Sequence, residues 1–369
     1  MGAVLYFDHN ATHPLTATAR QAWLDAVERF PGNPSSPHRL GQRAERALED
    51  ARERVGAVLG CRAEEILFTS GATESANMAL APGRDILHSA IEHPCVREAA
   101  LGRSREFRVA GDGVADLDDL RRQLAGSKPA LVALMAANNE TGVLQPWREA
   151  LEMCRAAGVP FFCDAAQWIG KLPARGLGGC DLVSGCAHKF GGPIGVGFLK
   201  CPRSWAPLLR GGPQEDGRRA GTENLAGILS MVAALEEAEA RLAAKGAVAR
   251  LTAMRENFEQ RLAAELPGLR VLGTGAARLW NTVAALMPET PDCRRRWVVV
   301  MDRLGFAVST GSACASGKEK PSHVLTAMDV QPGDAGRALR FSAGWSTTEE
   351  EWERLRAGVV AAAGEMVGK

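Results

Sequence analysis

Residues 181–192, DLVSGCAHKFGG, are the segment on which the expected fold depends. An apolar run in it leads directly into reactive side chains. The apolar part is typical of a buried strand. Cys186, His188 and Lys189 follow within four positions of one another, and two glycines behind them permit a close backbone approach to a ligand. A lysine in this apolar setting is poorly explained as a surface charge. It is better explained as an amine with a lowered pKa, suited to a Schiff base.

Further apolar runs upstream of this segment predict more buried strands: EEILFTSG, RDILHSAIEH, ALVALMAANN and PFFCDAAQ. Amphipathic helices are predicted between them: HRLGQRAERALEDARERVGAVLG, DLDDLRRQLAG and WREALEMCRAAG. Such alternation favours an α/β fold whose mostly parallel sheet is covered on both faces, with its ligand at the carboxyl ends of the strands. We therefore expect one shared site from the polar residues at strand ends: Ser70, His93, Asn139, Asp164 and Lys189.

A second, smaller α/β unit is predicted from the C-terminal third of the chain. A long helical stretch breaks near Gly246, and the runs LRVLG, LWNTVAALM, FAVSTG and ALRFSAG follow as strands. A last helix is expected to be capped by Ser346 or Thr347. We predict a large domain over 14–245 and a small domain from 1–13 and 246–369, with a cysteine loop at about 309–321.

Composition narrows the classes of function. The 369 residues are 46% hydrophobic and 24% charged with a net charge of +1, which gives no reason to expect a nucleic acid or a membrane as partner. The first fourteen residues lack a basic region and a long apolar run, so we expect no signal peptide and a cytoplasmic location. Nine cysteines form no CxxC pair, so we expect no intrinsic metal site and mostly buried thiols.

Two of the strand ends can be interpreted in two ways each. In FTSGATES, the free N–H groups of a helix start and the hydroxyls of Ser70 and Thr73 suit an anion, although a simple capped turn would look similar. Asp164 ends an apolar strand and needs a cationic partner or hydrogen bonds. A protonated ring nitrogen would serve, as in pyridoxal phosphate enzymes, and so would the role of a helix N-cap.

Two residues of the C-terminal part add possible chemistry. Cys314 lies among small and polar residues before GKEK, which indicates an exposed loop where a thiol near lysines can be nucleophilic. An incidental loop thiol is the alternative. Arg340 sits in the apolar run ALRFSAG and needs a carboxylate, for which a substrate carboxylate fits its fork geometry.

Taken together, these motifs resemble the cysteine desulfurases of the nitrogen-fixation and iron–sulfur-assembly type. Those are pyridoxal-phosphate-dependent transferases with the aspartate-aminotransferase fold, a large domain with a mostly parallel sheet plus a smaller α/β domain. Ten motifs occur in the family's order: YFDHNATHP, GNPSSPHRLGQRA, FTSGATES, EHPCV, NNETGVLQP, DAAQWIGKLP, AHKFGGPIGVGFL, RRAGTEN, STGSACASG and LRFSAG. The resemblance implies the cofactor pyridoxal 5'-phosphate and the substrate L-cysteine.

The resemblance also implies roles around the cofactor ring. Lys189 would hold the cofactor covalently and later move the α-proton of the substrate. Asp164 would pair with the pyridinium nitrogen, and Gln167 would bond the phenolic oxygen of the ring. His93 would stack on the ring and assist proton transfer.

For the cofactor phosphate, the resemblance implies Ala72, Thr73, His188 and, from a second subunit, Thr222. A homodimer follows from that last role. Cys186 stands where the family usually has a serine that binds the phosphate. The substrate carboxylate would be bound by Arg340, Asn139 and Asn33, with Asn139 also touching the cofactor.

The implied reaction converts L-cysteine to L-alanine and leaves the sulfur as a persulfide on Cys314. A sulfur-acceptor protein would take it for iron–sulfur cluster assembly or a related thiolation, and Cys314 can transiently contact the nascent cluster. The alternatives are selenocysteine lysis, another class-V aminotransferase reaction, and a non-catalytic assembly scaffold. Three positions depart from the family pattern: His13 for threonine, Cys186 for serine, and Ile194 for lysine or another polar residue.

Overall fold

A seven-stranded sheet forms the centre of the computed structural model, which describes residues 4–80, 85–100, 102, 104–206, 208–289, 293–310 and 322–367. Its strands, numbered along the chain, are β2 (Ile66–Thr69), β3 (Ile86–Ser89), β4 (Ser104–Phe107), β5 (Leu131–Ala133), β6 (Phe161–Asp164), β7 (Leu182–Cys186) and β8 (Gly197–Lys200). They lie in the order β2-β8-β7-β6-β5-β3-β4. β8 runs antiparallel to both of its neighbours and all other pairs are parallel, so the predicted mostly parallel sheet is confirmed.

Helices cover both faces of this sheet. They are α1 (Ala17–Arg29), α2 (Arg39–Leu59), α3 (Ala72–Leu80), α4 (Pro94–Arg97), α5 (Leu117–Gly126), α6 (Trp147–Ala157) and α7 (Leu225–Ala243). Successive strand residues go to opposite faces: Phe68 and Phe161 pack into one core with α2, α6 and α7, and Leu67 and Phe162 into another with α3. Burial on both faces explains why β5, with the sequence LVA, is apolar at every position.

The C-terminal part has its own small sheets. β10 (Thr282–Leu286) pairs antiparallel with β9 (Arg270–Val271) and β12 (Ala338–Ser342), while β1 (Leu5–Tyr6) pairs parallel with β11 (Phe306–Ala307). The remaining helices are α8 (Ala247–Glu265), α9 (Cys293–Arg303), α10 (His323–Ala327), α11 (Pro332–Ala335) and α12 (Glu349–Val367). A separate core forms here around Phe258, Trp297, Phe341 and Trp352.

Two sequence expectations about helix ends can be compared with the structure. The predicted break is confirmed: Gly246 has a φ of +79° and precedes α8. The predicted cap of α12 is wrong, because Thr348 accepts from the N–H of Glu351, whose carboxylate accepts from the N–H of Thr348. This capping box starts one residue later, and the Thr347 hydroxyl instead accepts from Gly344 N.

The domain limits at residues 13 and 245 remain a prediction. In the part of the chain described here, no helix is long and apolar enough to cross a membrane.

Candidate active site

A cavity of about 890 Å³ opens at the carboxyl ends of the parallel strands. All five residues singled out at strand ends line it: Ser70, His93, Asn139, Asp164 and Lys189. The structure therefore brings these five residues together at one cavity, as the strand pattern predicts, while their roles remain predictions. Of the other predicted site residues, the cavity wall also contains Ala72, Thr73, Gln167, Cys186, His188 and Arg340.

Lys189 follows β7 in a single 3-10 turn, and its amine is held by main-chain oxygens. Nζ donates to the carbonyl of Asn10 at 2.6 Å and to that of Ala11 at 2.8 Å. Burial lowers the pKa of Lys189, and the Arg340 guanidinium adds to this effect. The structure thus places a partly buried amine of reduced basicity in the cavity wall.

Asp164 ends β6 and is buried. Its Oδ1 accepts from the N–H of Ala166 at 3.0 Å and from the Ser184 hydroxyl at 2.9 Å. No hydrogen bond to Oδ2 is found among the described residues. The carboxylate is therefore oriented by one oxygen while the other is left to a ligand in the cavity.

His93 begins α4 as its N-cap. Its Nδ1 accepts from the N–H of Cys95 at 3.2 Å, which assigns the ring proton to Nε2. Burial lowers the pKa of the imidazole, although the Asp164 carboxylate partly opposes this. A neutral ring that carries one N–H is the result at neutral pH.

The turn between β2 and α3 approaches β8 closely. A Cβ at Gly197 would lie 2.7 Å from Cα of Gly71, so only glycine fits there. The N–H of Ala72 hydrogen bonds to the Cys186 thiol, whose pKa burial raises to about 11. A neutral thiol thus occupies the helix start where an anion is expected.

The sequence analysis missed the residue that caps the turn between β2 and α3. Glu74 accepts from the N–H of Ser70 at 2.8 Å, four residues earlier, so the turn is capped although it lacks the usual box. Arg219 pairs with the same carboxylate at 2.7 Å and fixes its position.

His188 hydrogen bonds through Nδ1 with the Thr12 hydroxyl at 3.2 Å. Burial lowers its pKa to about 4, and the lysines nearby contribute. The ring is therefore neutral at pH 7 and can offer an anion a hydrogen bond but no charge.

Arg340 lies in β12 and reaches the same cavity. Its Nη2 pairs with Asp8 at 2.6 Å and its Nη1 donates to the Asn139 carbonyl at 2.9 Å. The carboxylate that the sequence demanded for this buried arginine is thus present within the chain itself, at Asp8.

Some predicted site residues lie elsewhere. Asn33 is exposed, and its side chain accepts from the N–H of Ser35 at 2.9 Å rather than lining the cavity. Thr222 is also exposed and does not line the cavity, whereas Cys314 and most of its loop lie outside the described residues. Of the positions that depart from the family pattern, Ile194 lines the cavity and is 75% exposed. The ring of His13 packs edge-on against the ring of His9.

Sequence reasoning missed several residues at the site. Asn10 supplies the carbonyl that holds Lys189, and Asp8 pairs with Arg340. Both belong to the quoted motif YFDHNATHP, which begins on Tyr6, the last residue of the short strand β1, and this position was the available signal. Lys171 is buried behind Gln167 and was hidden within an apolar run.

Comparisons with known proteins agree with this geometry. The class-V aminotransferase family model matches residues 5–355. A cysteine desulfurase of Klebsiella pneumoniae is 40% identical over 94% of this chain and 89% of its own length.

Solved structures agree as well. A NifS-like protein from Rickettsia africae superposes with a TM-score of 0.88 at 27% identity, covering 98% of this chain and 99% of that one. A structure described as SspA in complex with cysteine has a TM-score of 0.77 at 27% identity, covering 92% and 98%. The chain therefore belongs to the cysteine desulfurases of the class-V aminotransferase family, which are pyridoxal-phosphate-dependent enzymes.

Proposed function

We propose that the protein removes the sulfur of L-cysteine to give L-alanine and holds it as a persulfide on Cys314. One observation carries the proposal: the Lys189 amine, the Asp164 carboxylate and the Arg340 guanidinium line a single cavity. Relatives named cysteine desulfurases and a neighbour solved with cysteine support this substrate.

The residues present fit pyridoxal phosphate. Gly71 and Gly197 keep side chains away from the start of α3, where N–H groups and the Thr73 hydroxyl suit a phosphate. Oδ2 of Asp164 can pair with a protonated ring nitrogen, and Lys189 can bind an aldehyde covalently. When bound, the cofactor supplies an electron sink for the α-carbon of the substrate.

Lys189 acts as the base in this proposal. Two carbonyls orient its Nζ, and burial lowers its pKa, which reduces the cost of the neutral amine that takes the α-proton. His93 holds its own proton on Nε2 and can donate it within the cavity. Both groups lie at strand ends, where the sheet fixes their backbone.

Arg340 orients the substrate in this proposal. Its guanidinium binds the substrate carboxylate beside Asp8, and Asn139 contributes from the next wall of the cavity. The five donors of the guanidinium allow it to serve both carboxylates. Asn33 remains a candidate for the same role, although it lies outside the cavity here.

The sulfur step balances without an external oxidant or reductant. The Cys314 thiolate attacks the substrate sulfur, so an S–S bond forms while the C–S bond breaks. The electron pair of the broken bond stays with the substrate carbon, which gains a proton and leaves as alanine. The enzyme thiol is oxidised to a persulfide as the carbon is reduced.

The remaining parts of the proposal concern partners and place. Thr222 completes the phosphate site of a second subunit in a homodimer, which its exposure allows. A sulfur-acceptor protein takes the persulfide sulfur for iron–sulfur assembly or thiolation in the cytoplasm.

The test is the Cys314→Ala variant, with Cys61→Ala as the matched control, because Cys61 is partly exposed and does not line the cavity. Cofactor-loaded protein is given L-cysteine, and both alanine and protein-bound persulfide are measured. We expect the Cys314 variant to lose both and the control to keep both. Alanine production at the unmodified level without Cys314 would contradict the persulfide mechanism.

A further inference from the structure

Lys171 is a buried lysine to which the proposed mechanism gives no role. It lies in the turn after Gln167 and is 4% exposed. Its own carbonyl accepts from the Trp280 indole at 2.8 Å, which fixes the backbone there. In the described ranges, no carboxylate lies within ion-pair distance of its Nζ. An amine buried without an anion is costly, which calls for a functional explanation.

The amine of Lys171 is bonded to one residue only among those described. Nζ donates to Oε1 of Gln167 at 2.6 Å and to the Gln167 carbonyl at 3.3 Å. The opposite end of the amide, Nε2, donates to the carbonyl of Asn10 at 2.9 Å. That same carbonyl accepts from Nζ of Lys189 at 2.6 Å. Lys171 is thus connected to Lys189 through one amide and one carbonyl.

This arrangement selects one of two orientations of the Gln167 amide. A glutamine side chain fits nearly as well when its oxygen and nitrogen are exchanged, and only its hydrogen-bond partners decide between the two. An ammonium group has donors alone, so it holds the oxygen and leaves the N–H groups on the cavity side.

We propose that Lys171 is a positioning residue that makes Gln167 present an N–H, rather than its oxygen, to the phenolic oxygen of the cofactor. The inference rests on the proposed function, since it assumes the cofactor and the position of its ring. An N–H donor draws the negative charge of that oxygen away from the neighbouring cofactor–Lys189 linkage, so the oxygen stabilises the protonated linkage less and the linkage loses its proton at a lower pH. Lys171 thereby sets the pH at which the linkage gives up its proton.

The charge of Lys171 acts in the same direction. Burial lowers the pKa of Lys171 to about 7, and the charge of Lys189 contributes. The titratable or charged groups that interact with it electrostatically are His9, His13, Cys186, His188, Lys189 and Arg340. Below pH 7 Lys171 carries a positive charge that disfavours a second proton nearby. Above pH 7 the neutral amine can still donate to Gln167, and the Asn10 carbonyl, which only accepts, still holds Nε2, so the orientation persists.

The experiment is the Lys171→Met variant of the full chain, loaded with pyridoxal phosphate. Methionine keeps the length of the side chain and removes the donor and the charge. The visible absorbance of the cofactor–Lys189 linkage is titrated against pH. We expect its midpoint to rise by about one pH unit, the effect of one hydrogen bond to a charged group. The cofactor dissociation constant, measured in the same cuvette, should rise about fivefold.

Lys200→Met is the matched control, because Lys200 is equally buried at the opposite edge of the sheet. Its midpoint should not move. A second pair of variants tests the route: in a Gln167→Leu background, Lys171→Met should shift the midpoint by less than half as much. If the Met variant does not fold, Lys171→Gln, which loses the charge but keeps a donor, should give a smaller rise.

An unchanged midpoint in Lys171→Met or in its Gln substitute would overturn the inference alone. An equal shift with and without Gln167 would also overturn it, since the charge would then act directly. A wild-type protein that gives no visible band with the cofactor would overturn the proposed function, and the inference with it.

Discussion

The seven-stranded sheet holds lysine and glutamate in opposite ways at its two edges, the cavity edge where the parallel strands end and the opposite edge where they begin. At the edge away from the cavity, Lys200 donates to the Cys180 carbonyl at 2.6 Å and pairs with Glu65 at 3.2 Å. Burial opposes ionisation of Glu65, but the N–H of Arg62 and the Lys200 amine outweigh it and lower the pKa. Lysine and glutamate there are held together as an ion pair.

At the cavity edge, lysine and glutamate are buried apart. Lys171 and Lys189 bond to amide and carbonyl oxygens, and burial lowers the pKa of both. Burial raises the pKa of Glu92 to about 8. Its Oε1 accepts from the Ser89 hydroxyl and from the N–H of Met135. Among the described residues, Lys171, Lys189 and Glu92 form no ion pair at this edge, although Arg340 pairs with Asp8 there. Lys171 and Glu92 have pKa values near neutral pH, which is typical of an active site.

The largest expected effect is that of Lys189→Ala. Removal of the amine takes away both the covalent anchor and the base, so alanine formation from L-cysteine should fall by a factor on the order of a thousand or more. The thermal midpoint should stay level or rise, because the substitution also removes a partly buried amine that has no carboxylate partner among the described residues. Residual turnover within tenfold of the unmodified protein would show that another residue is the base.

Lys200→Met should give the reverse outcome. It leaves Glu65 with the exposed Arg62 as its remaining cation, and loss of this partly buried pair costs on the order of 1 kcal/mol of unfolding free energy. Urea denaturation measures this loss, while turnover per folded molecule should be unchanged. A loss of turnover without a loss of stability would contradict the view that Lys200 stabilises the fold while the lysines at the cavity edge serve the reaction.

The fold and the place of the site could be predicted because both depend on local pattern. Apolar runs that end in Asp164 or lead to Lys189 predict strands that deliver polar groups to one edge. The strand β8 was missed, because its sequence follows a glycine-rich segment and it pairs antiparallel between β2 and β7. A reversed strand leaves no mark in the alternation of strands and helices.

Long-range partners could not be predicted either. Asp8 and Arg340 are more than three hundred residues apart and meet only because β12 lies beside the segment after β1. For Arg340, the sequence could state the need for a carboxylate but not whose carboxylate meets it. Lys171 shows the same limit, since its apolar neighbours in the sequence do not reveal that it bonds to Gln167.

The Glu92→Gln variant tests how the buried carboxyl of Glu92 makes the stability of the protein depend on pH. The folded-state pKa of about 8 is raised above the ordinary value of 4.5, so between those values the unfolded chain loses a proton that the folded one keeps. Stability contributed by this group is full below 4.5 and falls as pH rises towards 8. Glutamine mimics the protonated carboxyl and should remove up to a tenfold change in the unfolding constant per pH unit in that window. Urea denaturation at pH 5, 6.5 and 8 checks the slope, and an unchanged slope would contradict the assignment.

The smallest expected effect compares two buried cysteines, Cys186 at the cavity and Cys201 just after β8. Burial raises the pKa of each thiol to about 11, so neither is a nucleophile at neutral pH. Cys186 nonetheless lies beside the N–H of Ala72 at the proposed phosphate site, and a hydroxyl is a stronger donor than a thiol. Cys186→Ser should therefore lower the cofactor dissociation constant about fivefold, the equivalent of one ordinary hydrogen bond.

Cys201→Ser is the control for this comparison and should leave cofactor affinity unchanged, because Cys201 is buried away from the cavity. Persulfide should still form on the Cys186→Ser protein, since the sulfur chemistry is assigned to Cys314. Loss of persulfide in that variant would return Cys186 to the mechanism. It would also mean that Cys186 is a reactive thiol although it is buried as completely as Cys201, which is inert.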